Sequence, residues 1–402
     1  MANFRIGLVF SDTGGGHRSA TDAIHCAIQD LVKNEPNGHH FELVTDNVVE
    51  KTHPVNRAFV DFYNHLLRNN QRLMKYYYAF IHLTKPNDSK LGYSLSGPYI
   101  ENWLRREQPD IVISVHPMSN QYFAKALKCT GMSGKVKLMT VVTDPSNELW
   151  RGWACPEADL TVVPNELARN QLIAWGVEPE RVRIMGMPVN PDFIKPPTVS
   201  KVDFRNHLGL HGDRLTVCIN AGWAGGGNML AIYRELSRVR RPIQAIFLCG
   251  HNKSLYEKVR KEARRCPIPS AVLPFHDRMS DLMAAVDLMV TKAGGLTTFE
   301  AIARRLPMAI DLITEPMPQE AGNVKIIVEQ GLASAVYRPH DIVEIVENMQ
   351  PVKDRDSVVL PTAYSLDQTD AVYSMARAAL AFCDPAYQSS LEDRSKAEVE
   401  RH

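Results

Sequence analysis

The sequence predicts an α/β fold made of two similar halves. Short apolar runs alternate with helix-like segments along the chain, which is the βαβ pattern of such folds. In each half, one apolar run leads directly into a glycine-rich loop. The loops contain Gly14, Gly15 and Gly16 in the first half, and Gly222, Gly225, Gly226 and Gly227 in the second. One such loop would be a weak signal because glycine also makes tight turns, but two at matching places predict two domains that face each other across a cleft.

The apolar runs have the length of buried strands. In the first half they cover residues 6–10, 41–44, 111–115, 138–143 and 160–163. In the second half they cover residues 215–219, 245–249, 271–273, 288–291 and 308–312. Each half therefore has five predicted strands, most of them followed by a helix-like segment.

The strand pattern and the prolines predict the domain boundaries. A proline-rich stretch at residues 194–198 suits a connector, so we expect a first domain at 1–195 and a second at 196–360. Residues 364–383 carry apolar side chains at helical spacing, which predicts a closing helix within a final segment, 361–402. The strand pattern breaks at about 51–100, which predicts a helical insertion in the first domain.

Composition limits the class of protein. A chain of 402 residues with 45% hydrophobic content has enough apolar material for two ordinary cores. The formal net charge of +1 argues against nucleic acid as a partner. Seven cysteines lack metal-ligand spacing, so we expect reduced thiols and a cytoplasmic protein. No run resembles a signal peptide or a membrane-spanning helix.

Residues 56–81 interleave aromatic side chains with lysine and arginine. One interpretation is a pair of helices whose aromatics are buried in the first domain. The other is an interfacial surface, with aromatic rings at headgroup level and cations toward anionic lipid. The second interpretation predicts a peripheral protein on the cytosolic face of a membrane. Stacking on single-stranded nucleic acid is disfavoured by the neutral net charge.

Several motifs together resemble a known family. They are residues 11–18, 141–144, 163–164 and 186–189 in the first half, and residues 275–279, 291–295 and 318–324 in the second. In order and spacing this set resembles the monogalactosyldiacylglycerol synthases and processive diacylglycerol glucosyltransferases. The resemblance implies a GT-B fold, two Rossmann-like domains, and inverting transfer of a hexose from a UDP-sugar to a lipid hydroxyl. More distantly, the chain resembles the GlcNAc transferase that acts on the lipid-linked peptidoglycan precursor.

The chain departs from the family pattern at two positions. Gly295 stands where the family usually has proline, and Trp223 interrupts a glycine loop that is usually made of small residues. Both departures concern the sugar and the acceptor more than the type of reaction. A polyprenyl-linked or other acceptor therefore stays open.

Inverting transfer needs a base for the acceptor hydroxyl, and His17 on the first glycine loop is the candidate. An unperturbed imidazole has a pKa of about 6.5, which suits neutral pH. Asp12 and Asp144 follow strands of the same half and are candidates to orient His17 or to contact the acceptor. Each also suits a helix cap or a turn. The three glycines beside His17 form the acceptor-side loop.

The second half carries the candidate donor site. Gly225, Gly226 and Gly227 are expected to present backbone N–H groups to a phosphate, with Gly294 and Gly295 opening a second helix toward it. The resemblance implies that Glu320 binds the ribose, that Gln319 and Asn323 face the sugar, and that Phe275 and His276 hold the uracil. Glu320 is alternatively a helix cap. Lys292 either pairs with phosphate or extends its amine to solvent.

A metal is not expected. The Asp354-Arg355-Asp356 segment is the one Asp-x-Asp match and lies in a polar stretch rather than at a strand end. The two helix ends would instead stabilise the leaving diphosphate, so neither a metal nor a cofactor is predicted. A UDP-sugar epimerase of the same fold is the main alternative activity. An oxidoreductase is disfavoured because Ser19 replaces the third glycine of the dinucleotide motif, and a non-catalytic relative stays open.

Overall fold

A computed structural model describes residues 2–34, 38–69, 73–145, 149–223, 225–292, 294–316, 318–349, 368–384 and 387. The described residues form two compact units. The described residues of unit 1 fall within 1–63, 73–191 and 366–402, and those of unit 2 fall within 64–72 and 192–365. The chain leaves unit 1 just before the proline-rich stretch and returns to it for the last helix.

Unit 1 contains a six-stranded parallel sheet. Its strands are β1 (Asn3–Val9), β2 (His40–Asp46), β3 (Ile111–Ser114), β4 (Lys137–Val141), β5 (Leu160–Val163) and β6 (Val182–Ile184), in the order β2-β1-β3-β4-β5-β6. Three central strands, β3, β4 and β5, are almost entirely buried, because helices cover both faces of a parallel sheet. The chain order reverses between β1 and β3. Ligands of open α/β sheets bind at the carboxyl ends of strands beside such a reversal.

Eight α-helices of the described part of unit 1 accompany this sheet. They are α1 (Gly16–Asn34), α2 (Val48–Thr52), α3 (Pro54–Asn69), α4 (Met74–Thr84), α5 (Lys90–Glu107), α6 (Asn120–Cys129), α7 (Glu166–Ala174) and α15 (Gln368–Cys383). The contacts of α3 divide at Tyr63, so its last turns belong to unit 2. Helix α15 packs on α1, where the Tyr373 hydroxyl donates to Asp30 Oδ2 at 2.9 Å. The C-terminal helix thus packs onto the helices that cover the N-terminal sheet. Residues 364–367 of its predicted span lie outside the described residues.

Unit 2 repeats the same plan. Its strands are β7 (Leu215–Asn220), β8 (Ile243–Leu248), β9 (Ser270–Leu273), β10 (Leu288–Thr291), β11 (Met308–Asp311) and β12 (Ala333–Val336), in the order β12-β11-β10-β7-β8-β9. Its helices are α8 (Lys201–His207), α9 (Met229–Glu235), α10 (Lys253–Ala263), α11 (Met279–Ala285), α12 (Gly295–Ala303), α13 (Pro318–Glu329) and α14 (Asp341–Asn348). Here the chain order reverses between β7 and β10.

The α/β prediction is confirmed, and all ten predicted strands are present. The sequence analysis missed β6 and β12, which are edge strands. Strand β6 has three residues with Arg183 at its centre, and β12 includes the exposed Ser334. An edge strand needs less apolar surface than a central one, so its sequence signal is weaker.

The side chain of Arg205 connects helix α8 to the segments 212–214 and 285–287 of unit 2. Its side chain is 1% exposed and donates to the carbonyl oxygens of Ala285, Gly212 and Arg214 at 2.7–3.0 Å. It also donates to Asp287 Oδ2 at 2.7 Å, in front of β10. A buried guanidinium is tolerated because every contact is a charge-assisted or carbonyl hydrogen bond.

We expect Arg205→Ala to lower the unfolding free energy of unit 2 by about 3–5 kcal/mol, because Asp287 loses its buried cationic partner and three carbonyls each lose a donor. Thermal unfolding measures the effect. Arg240→Ala, which removes an exposed cation from the same unit, is the matched control. Equal midpoints for the two variants would contradict this account of Arg205.

Candidate active site

The first glycine loop lies at the strand-order reversal of unit 1. It joins β1 to α1, and Gly14 and Gly15 adopt positive φ angles of 70° and 88°. Residues with a Cβ rarely adopt this backbone conformation, so the glycines let the chain turn sharply into α1 at Gly16. The loop therefore places His17 in the first turn of a helix at the carboxyl edge of the sheet.

His17 lies among side chains from three strand ends. Its Nδ1 is 3.3 Å from Thr143 Oγ1 beyond β4, and its ring also hydrogen-bonds the Val115 backbone beyond β3. The ring of His116 packs edge-on against it, with centroids 4.4 Å apart. Burial lowers the pKa of His17 to about 4, and the hydrogen bond to Val115 offsets this only in part. His17 is therefore a neutral imidazole at pH 7, in a residue that is partly exposed.

His116 is a site residue that the sequence analysis missed. Its Nδ1 accepts the Met118 backbone N–H at 3.2 Å, so in the neutral ring the proton is on Nε2, which donates to Thr13 Oγ1 at 3.0 Å. Burial lowers its pKa well below the ordinary value, and the neighbouring His17 lowers it further. The sequence signal that could have identified His116 is its position directly after the predicted strand at residues 111–115.

Asp144 follows β4 and contacts Trp153. The Trp153 indole Nε1 donates to Asp144 Oδ2 at 2.7 Å, and the indole ring lies 6.0 Å from the ring of His17. Among the described residues Asp144 has no hydrogen bond to His17, so it does not orient that ring directly. Burial raises the pKa of Asp144 to about 6, against the lowering effect of the indole donor.

Asp12 is held in an ion pair. Arg18 Nε and Nη2 donate to its two carboxylate oxygens at 2.6 and 2.5 Å. The Asp12 backbone N–H and the Ser11 hydroxyl both donate to Glu50 Oε1, at 2.6 and 2.8 Å. Burial raises the pKa of Glu50, while these donors lower it. The carboxylates of Asp12 and Glu50 thus hold the loop that carries His17 in place. Glu50 is a second site residue that the sequence analysis missed.

The second glycine loop follows β7, at the strand-order reversal of unit 2. Gly225 has φ of 68°, and a Cβ there would lie 2.1 Å from the Cys249 carbonyl oxygen. Its own N–H donates to Gly222 O at 3.0 Å, and the Gly226 N–H donates to Ala221 O at 3.1 Å. The expectation that these two N–H groups face a phosphate is therefore wrong for this conformation. The glycines instead allow close packing against the loop after β8.

Lys292, at the end of β10, lies beside this loop. Its Cε would be 2.8 Å from a Cβ on Gly227. Burial lowers its pKa, while the charges of Glu320 and Asp311 raise it. Asp311 ends β11 and accepts from the backbone and side-chain N–H groups of Asn228 at 3.1 Å. Asp311 and Asn228 are further residues that sequence reasoning missed.

Helices α12 and α13 carry the remaining polar candidates of the donor site. Gly294 is the residue before α12, and Gly295 begins the helix. Glu300 on the same helix is buried, and burial raises its pKa to about 7. Glu320 lies in the first turn of α13, and the Gln319 side chain lies outside the described residues. Asn323 is 1% exposed, and its side-chain oxygen and nitrogen have no partner among the described residues. A buried amide without partners is costly, which makes Asn323 a candidate ligand contact.

Three aromatic side chains line the carboxyl ends of β7, β8 and β9. Phe275 is 47% exposed and stacks on His251, with centroids 4.4 Å apart and planes at 14°. Trp223 packs edge-on against His251 at 5.2 Å. His276 turns inward, and its buried Nε2 has no partner among the described residues. Phe275 thus presents a ring face at the edge where α/β sheets bind ligands.

Comparison with known proteins identifies the family of this chain. The sequence profile for monogalactosyldiacylglycerol (MGDG) synthase matches residues 17–189, and the profile for the glycosyltransferase family 28 C-terminal domain matches residues 229–350. A probable chloroplastic monogalactosyldiacylglycerol synthase of Nicotiana tabacum is 30% identical over 379 residues, which are 92% of this chain and 69% of the tobacco protein. The chain belongs to the monogalactosyldiacylglycerol synthase family. The family resemblance predicted from the motifs is therefore confirmed.

Solved structures show the same fold at lower identity. Anabaena HepE, solved with UDP and glucose, is 15% identical with a TM-score of 0.52, covering 98% of this chain and 100% of HepE. A putative UDP-N-acetylglucosamine 2-epimerase of Listeria monocytogenes is 13% identical with a TM-score of 0.59, covering 96% of this chain and 98% of the epimerase. A putative epimerase thus shares the GT-B fold of this chain, so the fold does not by itself distinguish an epimerase from a transferase.

The sequence predicts neither a metal site nor a membrane-spanning helix. In the described part of the chain, no three His, Cys, Asp or Glu side chains are grouped so that they could hold a metal ion. None of the helices in that part is both long and apolar enough to cross a bilayer. The Asp354-Arg355-Asp356 segment lies outside the described residues.

The raised pKa of Asp144 predicts a pH-dependent effect on stability. Folded Asp144 binds its proton up to about pH 6, whereas an unfolded aspartate releases it near pH 4, so this stabilisation is present at low pH and lost as pH rises through 6. Asp144→Asn keeps an acceptor for Trp153 without the charge. We expect the variant to be more stable than the parent by about 1–2 kcal/mol at pH 7.5 and by much less at pH 4.5. Thermal unfolding at both values tests this, and an equal difference at both would contradict it.

Proposed function

We propose that the protein is an inverting hexosyltransferase that moves a sugar from a UDP-sugar to the free hydroxyl of diacylglycerol. Membership of the MGDG synthase family supports the reaction and the acceptor class. The observation that carries the proposal is the environment of His17, a neutral imidazole that is partly accessible at the carboxyl edge of the first sheet. A base must be unprotonated before it can accept a proton.

In the proposed reaction, the acceptor hydroxyl oxygen forms a bond to the anomeric carbon of the sugar. The bond from that carbon to the diphosphate breaks, and UDP leaves with the electron pair. The hydroxyl proton passes to the unprotonated ring nitrogen of His17. Attack from the face opposite the leaving group inverts the configuration in one displacement.

Each unit offers one means of stabilising the charges that develop. Asp144 is ionised at pH 7 and accepts a hydrogen bond from Trp153, whose ring lies 6.0 Å from that of His17. We propose that its negative charge favours the imidazolium that forms. On the donor side, Lys292 and the amino-terminal end of α12 supply positive potential for the departing diphosphate. We propose that these groups suffice without a metal or another cofactor.

Purified protein incubated with UDP-galactose, UDP-glucose or UDP-GlcNAc, with and without diacylglycerol, tests the activity. We expect a glycosylated lipid by mass spectrometry, UDP release only when the acceptor is present, and persistence of both in EDTA. Interconversion of UDP-sugars without acceptor would instead identify an epimerase, an alternative that the shared fold leaves open. A lipid product formed only from a polyprenyl phosphate acceptor would replace diacylglycerol in the proposal.

His17→Ala should lower kcat by about 10²–10⁴, because the acceptor proton loses its base. UDP affinity should stay within about twofold, since the candidate donor residues are in unit 2. His25→Ala, on the same helix and outside the proposed machinery, is the matched control. Unchanged turnover in a folded His17 variant would remove His17 from the mechanism.

Helices α3 and α4 present apolar side chains to solvent. On α3 these are Val55, Phe59 and Phe62, which are 43–51% exposed, and on α4 they are Tyr76, Phe80 and Leu83, which are 50–83% exposed. Both sets follow i, i+4, i+7 spacing, so each shares one helix face. Such exposure is unusual for a protein surface and supports a membrane contact through residues 56–81.

Not every aromatic of this segment faces outward. Tyr77 packs edge-on against Tyr63 with centroids 5.4 Å apart, and burial raises its pKa to about 12. The segment therefore combines both interpretations offered by the sequence, one helix face packed and one exposed. We propose that the exposed side chains of α3 and α4 attach the protein peripherally to the cytosolic face of an anionic membrane. A diacylglycerol acceptor is held in such a membrane.

We expect the protein to sediment with phosphatidylcholine vesicles that contain phosphatidylglycerol, and raised salt to weaken the binding. Serine at Phe62, Tyr76 and Phe80 together should weaken it by at least about tenfold, because three exposed rings no longer enter the interface. Serine at Leu167, Val202 and Tyr337 removes three exposed apolar side chains elsewhere and is the control. Equal sedimentation of the two variants would refute the proposed surface.

A further inference from the structure

Unit 2 carries a concentration of positive charge that the proposed reaction does not use. Residues 234–265 contain ten lysine or arginine residues and three glutamates, a net charge of +7 in a chain whose total is +1. The remaining residues together therefore carry a net charge of −6. A charge distribution this uneven attracts an anionic partner to one part of the surface, although the whole chain is nearly neutral.

The amphipathic pattern of α10 turns many of these charges to solvent. Leu255, Val259 and Ala263 pack in the core of unit 2, on one side of the helix. The opposite side and the turn that follows the helix hold six exposed cations, Lys253, Lys258, Arg260, Lys261, Arg264 and Arg265. Since an α-helix rises about 1.5 Å per residue, the eleven residues of α10 alone give a row about 16 Å long.

Helix α9 and the segment after it extend this row. Arg234 Nε and Nη2 donate to the two carboxylate oxygens of Glu262 at 2.9 and 3.1 Å, which places α9 beside α10. Arg238 and Arg240, just after α9, are also exposed. The nine exposed cations form what we call the basic face, Arg234, Arg238, Arg240, Lys253, Lys258, Arg260, Lys261, Arg264 and Arg265. None of the candidate catalytic or donor residues belongs to it.

Only three cations of the basic face are paired with carboxylates. Besides the pair of Arg234 with Glu262, Arg238 lies 3.1 Å from Glu235, and Arg260 lies 3.9 Å from Glu257. The other six cations have no ion pair within the described part of the chain. A partner that brings carboxylates would therefore meet cations whose charge this chain does not neutralise.

The side chains around these cations indicate which kind of anionic partner fits. Among the described residues, none of the large apolar side chains that are exposed lies between positions 234 and 265. A membrane-binding surface combines cations with apolar side chains that enter the interface, and such side chains are exposed on α3 and α4 instead. Glu235, Glu257 and Glu262 also lie among the cations. A uniformly anionic bilayer would repel these carboxylates, whereas a protein can place a cation opposite each one.

We propose that the basic face docks a partner protein through a surface rich in aspartate and glutamate. Six of its nine cations are arginines, whose guanidinium groups match carboxylates in forked pairs. Arginine is also enriched, and lysine depleted, where proteins contact each other. The attraction is electrostatic, so it speeds the encounter of the two proteins and weakens as salt rises.

Fluorescence anisotropy of a labelled peptide of alternating glutamate and serine tests the proposal on the full chain, with saturating UDP present to occupy any nucleotide site. The same peptide with glutamine in place of glutamate is the uncharged reference. We expect the glutamate peptide to bind at low salt and the glutamine peptide not to bind. Raised salt should weaken the binding.

Two triple variants locate the binding. Lys258→Gln/Lys261→Gln/Arg265→Gln should weaken binding of the glutamate peptide by about tenfold, because three unpaired cations of the basic face are removed. Lys33→Gln/Lys135→Gln/Arg183→Gln removes the same charge from exposed positions of unit 1 and should bind as the parent does. The two variants have the same net charge, so they differ only in where the charge is removed.

Cross-linking with a carbodiimide maps the contact directly. The reagent activates a glutamate carboxylate of the peptide, and a lysine Nζ that lies against it displaces the reagent and forms an amide bond. Mass spectrometry of the digested product should find the peptide on Lys253, Lys258 or Lys261. Attachment mainly to lysines outside the basic face would contradict the proposal.

Two other occupants of the basic face would be revealed by the same variants. If the basic-face variant alone lost sedimentation with vesicles of phosphatidylcholine and phosphatidylglycerol, and the parent did not bind the peptide, the face would contact a membrane. If the parent were a dimer by sedimentation velocity and the basic-face variant alone a monomer, the face would bind a second copy of this chain. Either result overturns the proposal, as does equal weakening of peptide binding by the two triple variants. These readouts measure no sugar transfer, so they are independent of the proposed activity.

Discussion

Parallel strand pairing is the constraint on which the rest of this molecule depends. In each unit the chain begins at a central strand, builds outward to one side, and returns to build toward the other. The two loops that follow β1 and β7 are left at the point of reversal, where no crossover helix covers the carboxyl ends of both neighbouring strands. His17, His116 and Thr143 meet only because they follow β1, β3 and β4 at one such edge.

Burial decides the protonation states in the first unit. The same loss of water that lowers the pKa of His17 raises that of Asp144, so the two groups are held as a neutral base and a weakly acidic carboxyl. The Trp153 indole contacts both groups, because its ring lies near that of His17 and its Nε1 donates to the Asp144 carboxylate.

Glycine supplies positive φ angles in both loops and has an additional role in the second. In the first, positive φ angles turn the chain from strand to helix and place His17 at its start. In the second, the absence of a Cβ at Gly225 and Gly227 lets the loop pack against Cys249 and Lys292. Similar sequence patterns thus serve a turn in both units and, in the second, close packing as well, because neighbouring segments determine what each glycine contacts.

The sequence by itself determined the α/β class, the central strands and the family, because apolar periodicity and motif spacing are local properties of the chain. It also marked His17, Lys292 and Glu320 as candidates. Only the tertiary structure decided which side chains surround them, since His116, Glu50 and Asp311 come from segments distant in sequence. It also showed that Gly225 and Gly226 use their N–H groups within their own loop, and that Phe62 and Tyr76 are exposed while Tyr77 is packed. Contacts between distant segments and the burial that shifts a pKa are set by how elements pack, and no spacing within a single segment encodes them.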